Sequence, residues 1–184
     1  MEHDISDALS RLAKGNGILF ARDSPCLAGV RSSLEASDRR TVVLWGLRNA
    51  ERIASVVGGR HPLDSRPQEA VRLCTMWSMG DVKMPEAKKA ILGVHAMARE
   101  VGSPEDSALC HAVGQGCSVV HTPGHALGLP IYELTAAVLE GGDVHGRVSD
   151  LIAIYEATLD ESSLYPESRR WARFLRLRGR FIRL

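Results

Sequence analysis

The chain has 184 residues, enough for one domain with a full core and short for two, and its 45% hydrophobic and 24% charged residues are the balance of a soluble globular protein. Its net charge of +1 conceals an asymmetry: residues 169–184 hold seven Arg and no acid, and the other 16 Lys and Arg against 22 Asp and Glu leave residues 1–168 at −6. No run of about eighteen apolar residues occurs, which excludes a membrane-spanning helix, and the acidic, polar start MEHDISDALS is unlike a secretory leader.

Aromatic residues make up only 5%, so the core has to be built from Ala, Leu, Val and Ile, whose smaller members let helices approach closely. Cys26, Cys74, Cys110 and Cys117 form no CxxC pair, and they are expected to be reduced and mostly buried in a cytoplasmic protein. Residues 4–14 place Ile5, Ala8, Leu9 and Leu12 on one helical face, and Gly15-Asn16-Gly17 stops the segment. Residues 18–23 read as an extended piece or a loop. Ser24-Pro25 then reads as a cap and first turn, opening a short helix to Ala36 with Leu27, Val30 and Leu34 inward.

Asp38 caps the next helix, whose wide apolar stripe from Val42 to Val57 ends at Gly58-Gly59. After the loop 60–64, Ser65 and Gln68 fit a capping box for a helix to Met79 that buries Ala70, Val71, Cys74 and Trp77. Pro85 opens a helix through Val101, with His95 on its apolar face four residues after Ile91. Ser103 caps the helix that follows. Pro123 breaks or restarts that helix, with Thr122 as a new cap, and Pro130 adds a second break. A last amphipathic helix covers residues 144–159, and a short strand is expected near 174–177. The expected fold is therefore all-α: one compact array of about seven or eight helices without a substantial sheet, over residues 1–166, followed by an Arg-rich tail, 167–184.

The stretch 108–128, ALCHAVGQGCSVVHTPGHALG, concentrates small residues, two cysteines and three histidines. At about 100° per residue, Cys110, Gly114, Cys117 and His121 share one helix face. His121 and His125 are four apart, a spacing that suits a divalent metal, and His95 and His111 become further ligands if the two helices pack antiparallel. Pro123 and Gly124 between the pair, and the lack of a neighbouring carboxylate, favour the alternative that these imidazoles bond backbone at crowded helix crossings. No metal or cofactor is assigned. Cys110 and Cys117, without a basic neighbour, read as small core residues. The glycines of GQG read as a helix-packing patch rather than a phosphate loop. Asp64 and Arg66 read as an ion pair fixing a loop, or Arg66 as a partner contact.

From about residue 38 to 138 the chain resembles a family of bacterial putative immunity proteins assigned to polymorphic toxin systems. The resemblance is carried by VVLWGLRNAERIA, DSRPQEAV, the Trp77 segment WSMGDVKMPEAKKAILGVHAMARE, and GQGCSVVHTPGHALG preceded by Cys110-His111-Ala112. The family's DxRP entry falls on Asp64, Arg66 and Pro67, its AHAxARE helix on His95, Arg99 and Glu100, and its last motif on His121, His125, Ala126 and Gly128. Residues 1–36 and the Arg-rich tail correspond to nothing in it. The resemblance implies a non-catalytic helical protein that binds and neutralises a toxin. Candidate ligand- or partner-binding residues are His95, His111, His121, His125, Cys110, Cys117, Arg66 and Trp77.

Two further readings stand beside it. One is a metal- or small-ligand-binding protein or enzyme built on His95, His111, His121 and His125. The other is nucleic-acid association through the tail, where Trp171, Phe174, Leu175, Leu177, Phe181 and Ile182 alternate with Arg. Those apolar groups point instead to docking on the body or to a homodimer contact, and the expected partner is a protein rather than nucleic acid or membrane.

Overall fold

The computed structural model describes residues 3–164 and 170–176. Among them are nine α-helices and no strand: α1 (Ser6–Ala13), α2 (Ala28–Ala36), α3 (Arg39–Arg60), α4 (Arg66–Met79), α5 (Met84–Glu100), α6 (Pro104–Ser118), α7 (Gly128–Leu139), α8 (Val144–Ser163) and α9 (Arg173–Arg176). The all-α array expected from the periodicity is the fold. Phe174 to Arg176 form a single helical turn where a strand was expected, and Leu177 lies outside the described residues.

Helix α6 is the hub, packing against α3, α4, α5 and α7. Its sequence explains why: Ala108, Ala112, Gly114 and Gly116 present almost no side chain, and all four are buried. The α3–α6 crossing is closest at two glycines. A Cβ on Gly116 would lie 2.6 Å from Leu129 Cδ1, 2.8 Å from the Gly46 carbonyl oxygen and 2.9 Å from Ala50 Cβ. On Gly46 it would meet the Gly116 carbonyl at 3.0 Å. Only glycine lets the two backbones come this near.

Several helix ends follow the sequence. Asp38 accepts from the backbone N–H groups of Arg40 and Thr41, and Ser103 accepts from that of Asp106. Asp143 likewise accepts from Gly146 N–H, and Gly80 ends α4 at φ 88°. Elsewhere tertiary contacts override the local signal. Ser24 makes no cap; its hydroxyl accepts from Ala21 N–H, and Pro25–Leu27 form a 3-10 turn before α2 begins. Leu9 and Leu12 are partly exposed, leaving Ile5 and Ala8 as the buried face of α1.

Gly58-Gly59 does not stop α3, which runs on to Arg60. Ser65 and Gln68 form no capping box. Instead the Gln68 amide donates to the Ala54 carbonyl at 3.0 Å, lying so close over Gly58 that a Cβ there would fall 1.9 Å from its nitrogen. The glycine is thus a seat for a neighbouring side chain rather than a helix stop. Pro130 sits in the first turn of α7, where its missing N–H costs nothing, so it breaks no helix.

A buried charged cluster ties α3, α7 and α8 together. Arg52 donates twice to Glu133, at 2.7 Å each, and the Tyr155 hydroxyl also donates to Glu133. Trp45 Nε1 donates to the Tyr155 carbonyl at 3.0 Å, with the two rings 5.8 Å apart. Glu133 is 5% exposed, so its charge depends on these donors. A second network, more exposed, closes the far ends of the same helices: Arg60 donates to Asp106 and Glu140, and Arg147 donates to Glu140 and to the Ala137 carbonyl at the end of α7.

Stability measurements on three substitutions test this packing. Gly116→Ala is expected to cost about 1–3 kcal/mol in urea unfolding through overpacking. Gly59→Ala, where nothing lies within 4 Å of the new carbon, is expected to be neutral or to stabilise slightly. Arg52→Ala leaves Glu133 without its charge partner and is expected to cost about 3 kcal/mol. A loss for Arg52→Ala no larger than for the exposed Arg72→Ala would reject the cluster's role.

Candidate functional site

The break between α6 and α7 determines where the histidines lie. Helix α6 ends at Ser118, residues 119–122 turn, Pro123–His125 make one 3-10 turn, and α7 starts at Gly128. Thr122 gives no side-chain cap. His121 and His125 therefore do not share a helix face, and the i,i+4 metal geometry is lost with the helix.

The four imidazoles occupy three different settings. His95 on α5 and His111 on α6 meet Nδ1 to Nδ1 at 2.9 Å, their ring centroids 5.1 Å apart, and Tyr132 stacks 5.0 Å beyond His111. One of the two Nδ1 atoms must carry a proton and the other must accept it. Gly114 makes room for the pair: a Cβ there would sit 2.5 Å from the His95 ring. His125 Nδ1 donates to the Gln115 side-chain carbonyl at 2.6 Å, and Gln115 in turn fills the space over Gly128, 2.5 Å from where a Cβ would be. His121, exposed, lies 5.5 Å from the buried Trp77, whose other neighbour is Phe174 at 5.6 Å.

All four rings are held below the ordinary histidine range. Burial, then the positive fields of His111, His125 and Arg99, takes His95 down to about 4. Burial and Arg99 lower His111, and burial and Arg22 lower His125. For His121 the causes are burial, then His125, Lys88 and Arg39. Burial thus favours the neutral form of each ring, in which one nitrogen donates a hydrogen bond and the other accepts one. Among the described residues no group of three or more His, Cys, Asp or Glu is placed to hold a metal ion.

The other candidates separate from this cluster. Cys110 and Cys117 are buried and free, and Cys117 has the Cys74 thiol of α4 as its hydrogen-bonding neighbour. The hydrogen bond to Cys74 and burial push the Cys117 thiol well above its usual value, and burial pushes Cys110 up to about 12, so neither is a ready nucleophile. Arg66 donates to both oxygens of Asp64 and, at 2.5 Å, to Glu100 on α5, fastening the 61–65 loop to the end of that helix.

The last described segment lies against the same region. Ala172 N–H donates to the Ser78 carbonyl at 2.8 Å, Arg40 donates to the Leu175 carbonyl at 3.0 Å, and Trp171 and Leu175 are buried. Phe174 lies between the Trp77 ring and the Arg39 guanidinium, which is 5.7 Å above it. Phe181 and Ile182 fall outside the described residues.

Sequence reasoning missed three groups here. Gln115 was read only as part of a small-residue patch. Arg22 and Arg39 were not singled out, yet Arg22 donates to the Gly124 carbonyl at 3.0 Å and Arg39 to the Val120 carbonyl at 3.3 Å, holding the turn that carries His121 and His125. The detectable signal was the turn itself: a helix broken at Pro123 exposes carbonyls that need donors.

A family model described as Imm-5 like putative immunity protein matches residues 32–158, more than two thirds of the chain and all of the histidine-bearing elements. No curated protein and no solved structure matches the chain.

The histidine settings predict an acid-sensitive fold. A folded pKa depressed below the unfolded value means the unfolded chain binds more protons between about pH 6.5 and 4, so stability is full above that window and falls as pH drops through it. Urea midpoints measured from pH 7 to 4.5 are expected to fall less steeply in His95→Gln than in the parent chain. Equal slopes would show that the pair contributes nothing.

Proposed function

The chain belongs to the family of Imm-5 like putative immunity proteins, and on that premise we propose that it is a non-catalytic helical protein that binds a protein toxin and neutralises it by occupancy. The observation that supports a binding role is the separation of the four histidines into three settings: a pair, a ring bonded to Gln115, and a ring against Trp77. A hydrolytic or metal-dependent site needs those groups converging on one reacting atom with a carboxylate beside them. What the arrangement offers is a fixed surface instead, braced underneath by close helix crossings. The proposal places the protein in the bacterial cytoplasm as part of a polymorphic toxin system, with residues 1–166 as one helical domain and 167–184 as a tail docked on it.

With Trp171 and Leu175 buried against their own chain, the tail has less apolar surface for a second copy, so the proposed complex holds one copy of this chain and one toxin. No helix among the described residues is long and apolar enough to cross a membrane.

Occupancy and catalysis differ in stoichiometry. Titrating the full chain into a toxin encoded beside it is expected to abolish toxin activity at a ratio of about one to one, with a single complex by size-exclusion chromatography. Complete neutralisation by a small fraction of an equivalent would mean turnover and reject the non-catalytic reading. Absence of binding to any neighbouring toxin would reject the function itself.

A further inference from the structure

Most of the hydrogen-bonded arginines on the body end on carboxylates: Arg52 on Glu133, Arg60 on Asp106 and Glu140, Arg66 on Asp64 and Glu100. The face around residues 119–125 is built differently. Arg22 and Arg39 give their hydrogen bonds to the Gly124 and Val120 carbonyls. A carbonyl satisfies the donor but cancels none of its charge. Arg39 Nε is buried with no hydrogen-bond partner, and the guanidinium lies over the Phe174 ring. The carboxylate next to it in sequence, Asp38, is engaged with the N–H groups of Arg40 and Thr41 and with the Thr41 hydroxyl. Lys88, exposed on α5, is near enough to act on His121, as Arg22 acts on His125.

This face therefore carries the cations Arg22, Arg39 and Lys88, two imidazole edges and the half-buried Phe174 ring lying over the buried Trp77. His125 donates through Nδ1 to Gln115, which leaves its Nε2 as the proton-accepting atom. The charges that act on His121 are those of His125, Lys88 from α5 and Arg39 from α3, and the charge that acts on His125 is that of Arg22 from the segment before α2. Burial first, and then this positive field, hold the two rings below the ordinary range; an incoming anion offsets the field, so an acidic ligand binds to the cations and also draws protons onto His121 and His125.

We propose that the face formed by Arg22, Arg39, Lys88, His121 and His125 receives an acidic segment of the protein partner. This rests on the reading of the chain as a protein-binding module, and it names the surface and the charge of what docks there. The partner chemistry is a run of Asp or Glu side chains.

The test uses the full chain, a decaglutamate peptide, and a thymidine oligomer of similar length and charge. Decaglutamate is expected to bind saturably and to raise the pKa values of His121 and His125, read from their ring-proton NMR shifts, while those of His95 and His111 move little. Arg22→Glu and Lys88→Glu, both at exposed positions, are expected to retain the parent circular dichroism and weaken the peptide by about tenfold or more. Peptide binding that neither variant weakens, or that leaves the two histidines untouched, overturns the proposal. So does tighter binding of the oligomer than of the peptide, which assigns the face to nucleic acid. In the toxin titration, variants that bind the toxin as the parent chain does would overturn this surface while leaving toxin binding itself intact. A face that binds the peptide when no toxin binds the chain would separate the two conclusions the other way.

Discussion

The approach of α3 to α6 at Gly46 and Gly116 is the constraint on which the rest of the structure depends. Once two helices meet with backbone against backbone, a third cannot be placed freely: Leu129 of α7 fills the remaining space over Gly116. The neighbouring residues on α6 then do unlike work. Gly114 yields to the His95 ring, and Gln115 reaches the turn to hold His125. Three consecutive residues thus set the position of α5, of the 123–125 turn and of α3. The histidines are arranged by the needs of helix packing, and the lowered pKa values of His95 and His111 follow first from the burial that packing imposes.

The electrostatics divide the molecule. At the Arg60–Asp106–Glu140–Arg147 end, positive and negative side chains neutralise each other across helix ends. At the opposite break, cations are spent on carbonyls and keep their charge. A sequence sum of −6 for residues 1–168 hides this division, because it averages a charge-neutralised end and exposed acids with a positive turn. A partner senses the local field within about 10 Å, not the total.

Much of the fold was legible because apolar periodicity and small-residue spacing report directly on helices and on close crossings. The GQG patch, the Asp38 and Ser103 caps and the inward Trp77 are of that kind. Less legible were the positions where one element answers another. Gly58-Gly59 looks like a stop, since nothing in the sequence says that Gln68 will lie over it. Ser65 and Gln68 look like a box because the competing acceptor, the Ala54 carbonyl, belongs to another helix. The candidate site divided in the same way. The residues of the 108–128 stretch are evident in the sequence, but which ring faces which depends on α6 ending at Ser118, five residues before Pro123. Glu133 was visible in principle: a lone acid inside the apolar run LPIYELTAAVL announces a buried partner, and only the tertiary fold supplies Arg52 and Tyr155.

The contact between Cys74 and Cys117 has a consequence for motion. Both thiols are fully buried where α4 meets α6, and burial together with their mutual bond keeps Cys117 protonated. A reagent in water reaches thiols this deeply buried only through an opening of the packing around them. Their rate of modification is therefore a clock for the breathing of that helix pair, set by the fold without any added label.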